Sequence, residues 1–476
     1  MKTGSACAAI ALLCGLFVTW SPAAPAAAET EATIAAYAAG YKAQFICSGL
    51  LEGHKSLDQI AAHELTGVYP LIAETLAALP PAGIDRAAHQ VRVAYDDAMP
   101  PRIAQWRPHL GCVSLPVGAE PADAAKIPGI TLAVSTGGTD DNGAPWTTRA
   151  PVNGESGNAA LDHILDAVFA GGAYGRDAVT SAILVATPEA ILAERYIDGF
   201  TPTTAQRTWS VAKSLAATVI GAAVGRGLLD VKAPAPVPEW QRPADPRRHI
   251  RLTDLLHMSS GLDSNRAGNR TDRLYMGGGL VTDTATRTAL EAPPGARWKY
   301  ANNDTLVAVR ALRAAIGDDD AYWRFPFETV LLPLGMTHTT PETDWDGNFI
   351  LSSQVWTTAR DLARLGLLYL NDGVWQGRRI LPEGWVDYVA TPAPSQPPLR
   401  AGRESPGYGA QWWLYNARVP EVPDDAFAAR GNRGQYLMVI PSRKLVIVRR
   451  GYDPAGGEGF ALARFTHDVL VALEGR

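Results

Sequence analysis

Ser210 and Lys213 stand three positions apart in the segment TWSVAKSLAATVIGAAVG. The segment is rich in apolar residues and predicts a helix, on which positions i and i+3 share a face, so Lys213 is within reach of Ser210. Ala217, Ile220 and Val224 continue that face, and burial lowers the pKa of a lysine towards the neutral amine that a general base needs. The pair is typical of a nucleophile with its base. A capping serine beside a solvated lysine is the alternative.

A second polar pair, Tyr300 and Asn302, follows a Pro-Pro-Gly turn in PPGARWKYANND. A phenol can relay a proton to a leaving group, and an amide can hold an acyl oxygen or the lysine. Taken alone, such a pair is more often part of a turn. Tyr369 and Asn371 share the spacing, but they end an apolar helical segment and are predicted to be a core residue and a helix cap.

Two predicted hairpins flank these motifs. SAILVATPEAILAERYIDG predicts two strands about a Pro-Glu turn, and GQYLMVIPSRKLVIVRRG predicts two more about Pro441 and Ser442. The helical segments AALDHILDAVFAGG and GFALARFTHDVLVALEGR lie beside them, at the two ends of the domain. We expect one antiparallel sheet with terminal helices packed on it, and a cleft in the helical and loop-rich block over residues 208–400.

The order of the motifs carries a resemblance to a known family. WSVAK, IRLTDLLHMSSGLD, PPGARWKYANND, LLPLGMTHT, SSQVWTTARDLARLGLLYLNDGVW and FAARGNRGQYLMVIPSRKLVIV resemble successive blocks of the serine β-lactamase and D-alanyl-D-alanine carboxypeptidase superfamily. They are most similar to the related hydrolases that include class C enzymes, family VIII esterases and 6-aminohexanoate-dimer hydrolases. The resemblance covers about residues 155–476. It implies an α/β (α+β) fold of the β-lactamase/transpeptidase type.

The resemblance also implies roles for the two polar pairs. Ser210 would be the acylated nucleophile, Lys213 its base partner, and Tyr300 and Asn302 the second catalytic element. The reaction would be hydrolysis through an acyl-enzyme without a cofactor.

A third family element lies on a strand that borders the cleft, and the residues predicted to bind substrate there are Gly431, Asn432, Arg433, Gly434 and Gln435. The family usually carries Lys or His in this element, where this chain has Asn432. The glycines fit a strand edge that substrate approaches closely. Backbone N–H groups of Ser210 and near Gln435 are predicted to form an oxyanion hole. Anchoring of a substrate carboxylate would require Arg430 or Arg433.

Composition excludes several classes of partner. The chain of 476 residues is 47% hydrophobic and 19% charged, which is typical of a globular protein of two or three domains. Lys and Arg total 43 against 48 Asp and Glu, without a long run of like charge, so we expect no nucleic acid and no membrane surface as partner. The 9 histidines show no metal-binding spacing, and no metal is expected.

Residues 1–28 have the pattern of a secretory signal: a basic start, an apolar segment and small residues ending near Ala28. The alternative, a membrane anchor, is disfavoured because the apolar run is shorter than the ~20 residues of a span. We therefore expect a periplasmic or secreted protein without a stable membrane span after cleavage. Export would favour a disulfide between Cys47 and Cys112 over two buried free thiols.

The predicted organisation is a helical N-terminal region over residues 29–134, a Gly/Thr/Asn-rich linker over 135–158 and a hydrolase domain over 159–476. The predicted function is an exported serine hydrolase that cleaves a small ester or amide. Two alternatives stay open: a catalytically silent envelope protein that recognises peptidoglycan-like peptides, and a true β-lactamase or D-alanyl-D-alanine carboxypeptidase. A fold alone does not choose the substrate.

Overall fold

The computed structural model describes residue 1 and residues 30–132, 146–263, 271–400 and 404–475. The predicted signal, apart from Met1, lies outside the described residues. The helices of this described part are α1 Glu31–Leu51, α2 Leu57–His63, α3 Pro70–Ala78, α4 Ala159–Ala170, α5 Ala212–Gly225, α6 Leu252–Leu256, α7 Asp272–Tyr275, α8 Val281–Thr284, α9 Asn302–Ile316, α10 Asp319–Pro326, α11 Ala359–Leu370, α12 Trp385–Ala390 and α13 Leu462–Glu474.

The strands of the same residues form four sheets. They are β1 Gly83–Asp85, β2 Gln90–Val93, β3 Arg102–Arg107, β4 Gly111–Ser114, β5 Thr148–Arg149, β6 Thr180–Ala186, β7 Ala190–Tyr196, β8 Gln206–Arg207, β9 Thr340–Pro341, β10 Val355–Thr357, β11 Val374–Trp375, β12 Arg378–Arg379, β13 Gly407–Tyr408, β14 Trp413–Leu414, β15 Phe427–Gly431, β16 Gln435–Ile440 and β17 Leu445–Gly451.

The main sheet has eight strands in the order β13-β14-β15-β16-β17-β6-β7-β5. Its pairs are antiparallel except β5 with β7. Both predicted hairpins are present, as β6–β7 and β16–β17. They meet in the middle of the sheet, where Ile447 of β17 lies opposite Val185 of β6. The predicted fold class is confirmed, and the two ends of the domain share one sheet.

Helices cover both faces of this sheet. Along β6, Leu184 points into the core that includes α5, α9 and α11, whereas Ile183 and Val185 point into the core built with α4 and α13. This follows from the two-residue period of a strand. Since both faces are covered, β6 is apolar from Ala182 to Ala186, and every one of its residues, Thr180 and Ser181 included, is buried.

The N-terminal region is not purely helical, which corrects the prediction. Helices α1 to α3 are followed by a four-stranded antiparallel meander in the order β1-β2-β3-β4. Val91 and Val93 of β2 pack with Ala39 and Ala43 of α1 in a small separate core. These strands are three to six residues long, and such short segments carry too little periodicity to be recognised without their partners.

A disulfide joins Cys47 of α1 to Cys112 of β4, as the sequence predicted. The bond links the helical layer of the N-terminal region to its sheet. Because it closes a loop with a sequence separation of 65 residues, the chain-entropy model assigns it about 4 kcal/mol of stabilisation.

The predicted linker, residues 135–158, is only partly described, since residues 133–145 lie outside the described ranges. Trp146 is buried in the main core, and β5 pairs with β7 as the edge of the main sheet. The described part of this segment thus begins with a buried tryptophan and an edge strand, and none of its other residues is buried. Among the described residues, no helix has the length and apolar character needed to cross a membrane.

Candidate active site

Ser210 lies in a single helical turn, Trp209–Val211, that leads into α5. Trp209 has φ +49°, a left-handed conformation that is costly for a bulky residue. Its ring is held by Phe45 and Tyr69 of the N-terminal region, at centroid distances of 5.9 and 5.7 Å. The Arg207 guanidinium stacks on it at 4.0 Å. The surroundings of Trp209 thus fix a strained backbone immediately before Ser210.

Lys213 is 1% exposed, because α5 is apolar and buried on all sides through Ala223. Its Nζ lies 3.0 Å from Ser210 Oγ, 2.7 Å from Asn302 Oδ1 and 2.7 Å from the carbonyl oxygen of Ser352. Burial lowers the pKa of Lys213 from 10.5 to about 7. A large fraction of this lysine is therefore a neutral amine near neutral pH.

The three oxygens around Nζ suit both protonation states of Lys213. The ammonium form donates one N–H to each of them. The neutral amine has two N–H groups and a lone pair, so it can donate to Asn302 and Ser352 and accept the hydroxyl proton of Ser210. Asn302 and Ser352 therefore orient the lone pair of the amine towards Ser210.

Tyr300 lies on the other side of Ser210. Its phenol is hydrogen-bonded to the Ser210 hydroxyl, and burial raises its pKa above the ordinary value, so it remains protonated at neutral pH. Lys213 Nζ lies 5.0 Å from the centre of its ring. Asn302 is the first residue of α9. The structure thus brings together the four residues predicted to be catalytic.

The third predicted element approaches Ser210 at Gly431, the last residue of β15. A Cβ atom at Gly431 would lie 2.3 Å from the carbonyl oxygen of Thr208 and 3.2 Å from the backbone nitrogen of Ser210. The strand residue that lies against the Ser210 backbone is therefore Gly431. The sequence predicted the second N–H of the oxyanion hole near Gln435. The side chain of Gln435 is 1% exposed; its amide donates to the carbonyl oxygen of Gly451 and accepts from Arg450 Nε.

Gly434 also faces away from Ser210. Its φ is +75°, and a Cβ atom there would lie 1.6 Å from the Arg449 guanidinium inside the domain. A tight turn directs the side-chain positions of Gly434 and Gln435 into the protein, so only their backbone groups are left for the predicted contact with substrate.

Neither candidate arginine offers a free cation to the cleft. Arg433 is 5% exposed, and its guanidinium donates to the carbonyl oxygens of His63 at 2.8 Å and Thr66 at 2.6 Å, so it clamps the N-terminal region onto the sheet. Arg430 forms an ion pair with Glu404 at 2.7 Å. The sequence left open whether one of them replaces the Lys or His of the family, and in the structure both guanidinium groups are bound to other protein groups.

Asn432 is exposed beside Gly431. Its Oδ1 accepts the backbone N–H of Arg433 at 3.0 Å, and its amide nitrogen donates to the phenol of Tyr69. Tyr69 and the Ser352 carbonyl were not predicted as site residues. Tyr69 contacts Trp209 and the Ser352 carbonyl accepts from Lys213 only through the tertiary fold, and a backbone carbonyl has no sequence signature. A buried Tyr275, whose hydroxyl lies 2.6 Å from Ser352 Oγ, was missed for the same reason.

A cavity of about 220 Å³ adjoins Tyr300, whose ring lies 5.5 Å from that of Trp413 in the cavity wall. Its lining residues are Trp298, Pro397, Pro398, Arg400, Glu404, Ser405, Pro406, Trp413 and Arg430. Five of these residues are tryptophans or prolines, and Arg400, Glu404 and Arg430 are charged. Within the described ranges, no group of three or more His, Cys, Asp or Glu side chains is placed to hold a metal ion.

A serine beside a buried lysine amine and a tyrosine phenol, next to the end of β15, is the arrangement of a serine nucleophile with its base. The family profile named Beta-lactamase matches residues 165–450, which is more than half of the chain, and the chain belongs to that family. Over 300 residues it is 28% identical to a 6-aminohexanoate-dimer hydrolase of Paenarthrobacter ureafaciens, covering 57% of this chain and 72% of that protein.

Two solved structures share the fold. A family VIII carboxylesterase is 16% identical with a TM-score of 0.54 and covers 68% of this chain and 99% of its own. A penicillin-binding protein homologue from Caulobacter crescentus is 16% identical with a TM-score of 0.53, again over 68% and 99%. At such identities the likeness describes the fold alone. The chain is thus a serine hydrolase of the β-lactamase family, with esterase- and amidase-like relatives.

Proposed function

We propose that this protein hydrolyses a small, uncharged ester or amide through an acyl-enzyme on Ser210. The observation that carries the proposal is the buried amine of Lys213, 3.0 Å from Ser210 Oγ and held by two further acceptors. Among the residues that the structure describes, no carboxylate pairs with Lys213. A buried lysine without such a partner is costly to stability, and that cost is explained if the neutral amine is needed as a base.

The proposed reaction runs in two halves. Lys213 takes the proton of Ser210 as Oγ bonds to the substrate carbonyl carbon, and the oxyanion is stabilised by backbone N–H groups of Ser210 and of the strand end beside Gly431. Tyr300 gives its phenol proton to the leaving oxygen or nitrogen as that bond breaks, and Lys213 returns a proton to Tyr300. A water then attacks the acyl carbon, its proton passes to the same pair, and Ser210 leaves reprotonated.

Uncharged substrates are favoured by the charges beside Asn432, although the exposed Arg400 lies in the wall of the cavity near Tyr300. Arg430 is neutralised by Glu404, and Arg433 is turned towards the N-terminal region. A substrate carboxylate would thus be desolvated beside Asn432 without an opposite charge. This arrangement favours short acyl esters or amides over penicillins, cephalosporins and peptidoglycan stems, which carry a carboxylate.

Labelling with a fluorophosphonate probe tests the proposal. We expect an adduct on Ser210, located by peptide mass spectrometry, and its loss in Ser210→Ala but not in Ser442→Ala, a serine at an exposed turn of the main sheet. Turnover of p-nitrophenyl acetate should follow the same pattern. A folded protein that takes no adduct and turns over no ester would contradict hydrolysis at Ser210 and favour a binding protein.

We also propose that the protein is exported to the periplasm or secreted. The pattern of residues 1–28 and the disulfide Cys47–Cys112 support this, since structural disulfides persist in oxidising compartments. Mass analysis of the exported protein should give an N-terminus near Glu29 and no alkylatable thiol. Two free thiols, or a retained residue 1, would contradict export by this route.

A further inference from the structure

Tyr69 brings the N-terminal region into the catalytic cleft. It precedes α3 and lies partly exposed between two residues that flank the nucleophile: its ring packs edge-on against Trp209 at 5.7 Å, and its phenol accepts a hydrogen bond from Asn432. Trp209 is adjacent in sequence to Ser210, and Asn432 is adjacent to Gly431, which touches the Ser210 backbone. Tyr69 therefore belongs to the wall of the site although it is 141 positions from Ser210 in the chain.

The hydrogen bonds of this pair leave two donors without a protein partner. Asn432 uses its oxygen for the Arg433 N–H and one amide hydrogen for Tyr69. Within the described part of the chain, its second amide hydrogen and the phenol hydrogen of Tyr69 have no protein acceptor among the contacts of these residues. Asn432 is exposed and Tyr69 is partly exposed, so both residues are accessible to a ligand. Each is uncharged.

From this geometry we infer that Tyr69 and Asn432 bind an uncharged acceptor oxygen of the substrate, such as a second carbonyl, outside the scissile bond. The pair makes the N-terminal region a determinant of specificity. The inference rests on the proposed hydrolysis at Ser210 and narrows its substrate class to neutral esters or amides that carry a second acceptor.

Two charged side chains that act on Tyr69 do not change the preference of this pair. Arg207 is 3% exposed, and it donates to the carbonyl and hydroxyl oxygens of Ser353 while it stacks on Trp209. Asp272 of α7 is an anion, which would repel a substrate carboxylate. A neutral carbonyl can satisfy the two donors without placing a second anion beside Asp272.

Matched esters of equal size test the inference. On the acyl side the series is the p-nitrophenyl esters of 4-methylpentanoate, 4-oxopentanoate and hydrogen succinate, which exchange a methyl group, a ketone oxygen and a carboxylate at one position. On the alcohol side it is 3-methylbutyl acetate and 4-acetoxybutan-2-one. The quantity measured is the ratio of kcat/KM between the ketone and the branched alkyl ester, with spontaneous hydrolysis subtracted.

We expect the wild-type enzyme to prefer the ketone in at least one series and to disfavour the succinate. Tyr69→Phe should keep the ring on Trp209 and lower the ketone preference by roughly two- to ten-fold, the net value of a neutral hydrogen bond, mainly through KM. Asn432→Ala should lower the same ratio. The control is Tyr95→Phe, another tyrosine of the N-terminal region whose hydroxyl has no partner among the described residues, and its ratio should be unchanged.

The outcomes separate this inference from the proposed function. An unchanged ratio in both series for Tyr69→Phe and Asn432→Ala, in an enzyme that does hydrolyse the esters, overturns the role of the pair and leaves hydrolysis at Ser210 intact. If the wild-type protein hydrolyses no ester and Ser210 takes no adduct, the proposed function falls and this inference falls with it. A uniform loss of activity on all esters indicates a structural role for Tyr69 and also overturns the inference.

Discussion

Lys213 is buried and can gain or lose a proton near neutral pH. An arginine at this position would keep the positive charge but could not act as a base. We expect Lys213→Arg to lower kcat/KM for p-nitrophenyl acetate by at least about a hundred-fold, because a guanidinium stays protonated and cannot accept the serine proton. Lys126→Arg, at an exposed lysine of the N-terminal region, is the matched control and should retain full activity. Substantial turnover by Lys213→Arg would contradict the role of Lys213 as base.

The pKa of Lys213 also sets the expected dependence of activity on pH. Burial lowers this pKa from 10.5 to about 7, and the base form is the deprotonated amine. kcat/KM should therefore rise about ten-fold per pH unit below pH 7 and level off above it. Initial rates between pH 5 and 9 measure this profile. A plateau reached already at pH 5, or a rise only above pH 9, would contradict a neutral amine at physiological pH.

Asn432 stands where a cation would favour β-lactams. Asn432→Lys should raise kcat/KM for a chromogenic cephalosporin relative to a p-nitrophenyl acyl ester by about ten- to a hundred-fold, the contribution of a charged hydrogen bond. Arg433→Ala is the informative companion, because the Arg433 guanidinium is bonded to carbonyls of the N-terminal region and should not affect this ratio. A native cephalosporin preference that disappears in Arg433→Ala would make Arg433 the anchor after all.

At the scale of elements, the end of β15 and the turn before α5 contact each other without space for a side chain. Gly431→Ala would place a methyl group 2.3 Å from the carbonyl oxygen of Thr208, so one of the two backbones must move. We expect kcat/KM for esters to fall ten- to a hundred-fold, since displacements near 1 Å at a nucleophile have such effects. Gly129→Ala, where a Cβ atom meets nothing within 4 Å, is the control. Equal activities of the two variants would contradict this coupling.

The elements that could be predicted from the sequence are those with strong local periodicity. The hairpins β6–β7 and β16–β17 and the terminal helices α4 and α13 alternate or repeat apolar residues clearly enough to be assigned. Tyr369 is buried and Asn371 caps α11, as the sequence indicated. The short strands of the N-terminal meander were missed, because their identity depends on partners rather than on their own residues.

The candidate site could be predicted as a set of residues but not as a set of orientations. Motif order was enough to group Ser210 and Lys213 with Tyr300. The sequence did not reveal that Arg433 would turn away from the cleft, because its direction depends on a φ of +57° in a tight turn and on carbonyls some 370 positions away. Tyr69 is similar: only the packing of the N-terminal region reveals that it reaches the site.

At the scale of the whole molecule, the N-terminal region is attached through buried polar contacts. Lys55 forms a buried ion pair with Glu64 of the same region, and both contact the hydroxyl of Tyr452 in the hydrolase domain. Glu342, from the hydrolase domain, accepts hydrogen bonds from Gln44 and Ser48 of α1. If the N-terminal region separates from the hydrolase domain, all of these contacts are lost together. Leaving any of the buried polar groups unpaired costs free energy. The two parts should therefore unfold together.

Glu342 makes this attachment sensitive to pH. Burial raises its pKa from 4.5 to about 8, so between these values the folded protein holds a proton that the unfolded chain releases. Its contribution to stability is thus fully present below about pH 4.5 and is lost as the pH rises to about 8. The free energy of unfolding of the wild type, minus that of Glu342→Gln, should fall by up to about 1.4 kcal/mol per pH unit in this window.

Denaturant unfolding at pH 5.5, 6.5 and 7.5 measures this difference, and subtraction of the variant removes the titration of all other groups that the two proteins share. Glu474→Gln, at a largely exposed ion pair of α13, is the matched control and should give a difference with no comparable trend. The glutamine keeps an oxygen that can accept from Ser48 but has no ionised form, so the variant gains relative stability as the pH rises. If the free energies of unfolding of the wild type and of Glu342→Gln change in parallel from pH 5.5 to 7.5, Glu342 is ionised in the folded protein. The attachment of the N-terminal region would then not depend on the proton of Glu342.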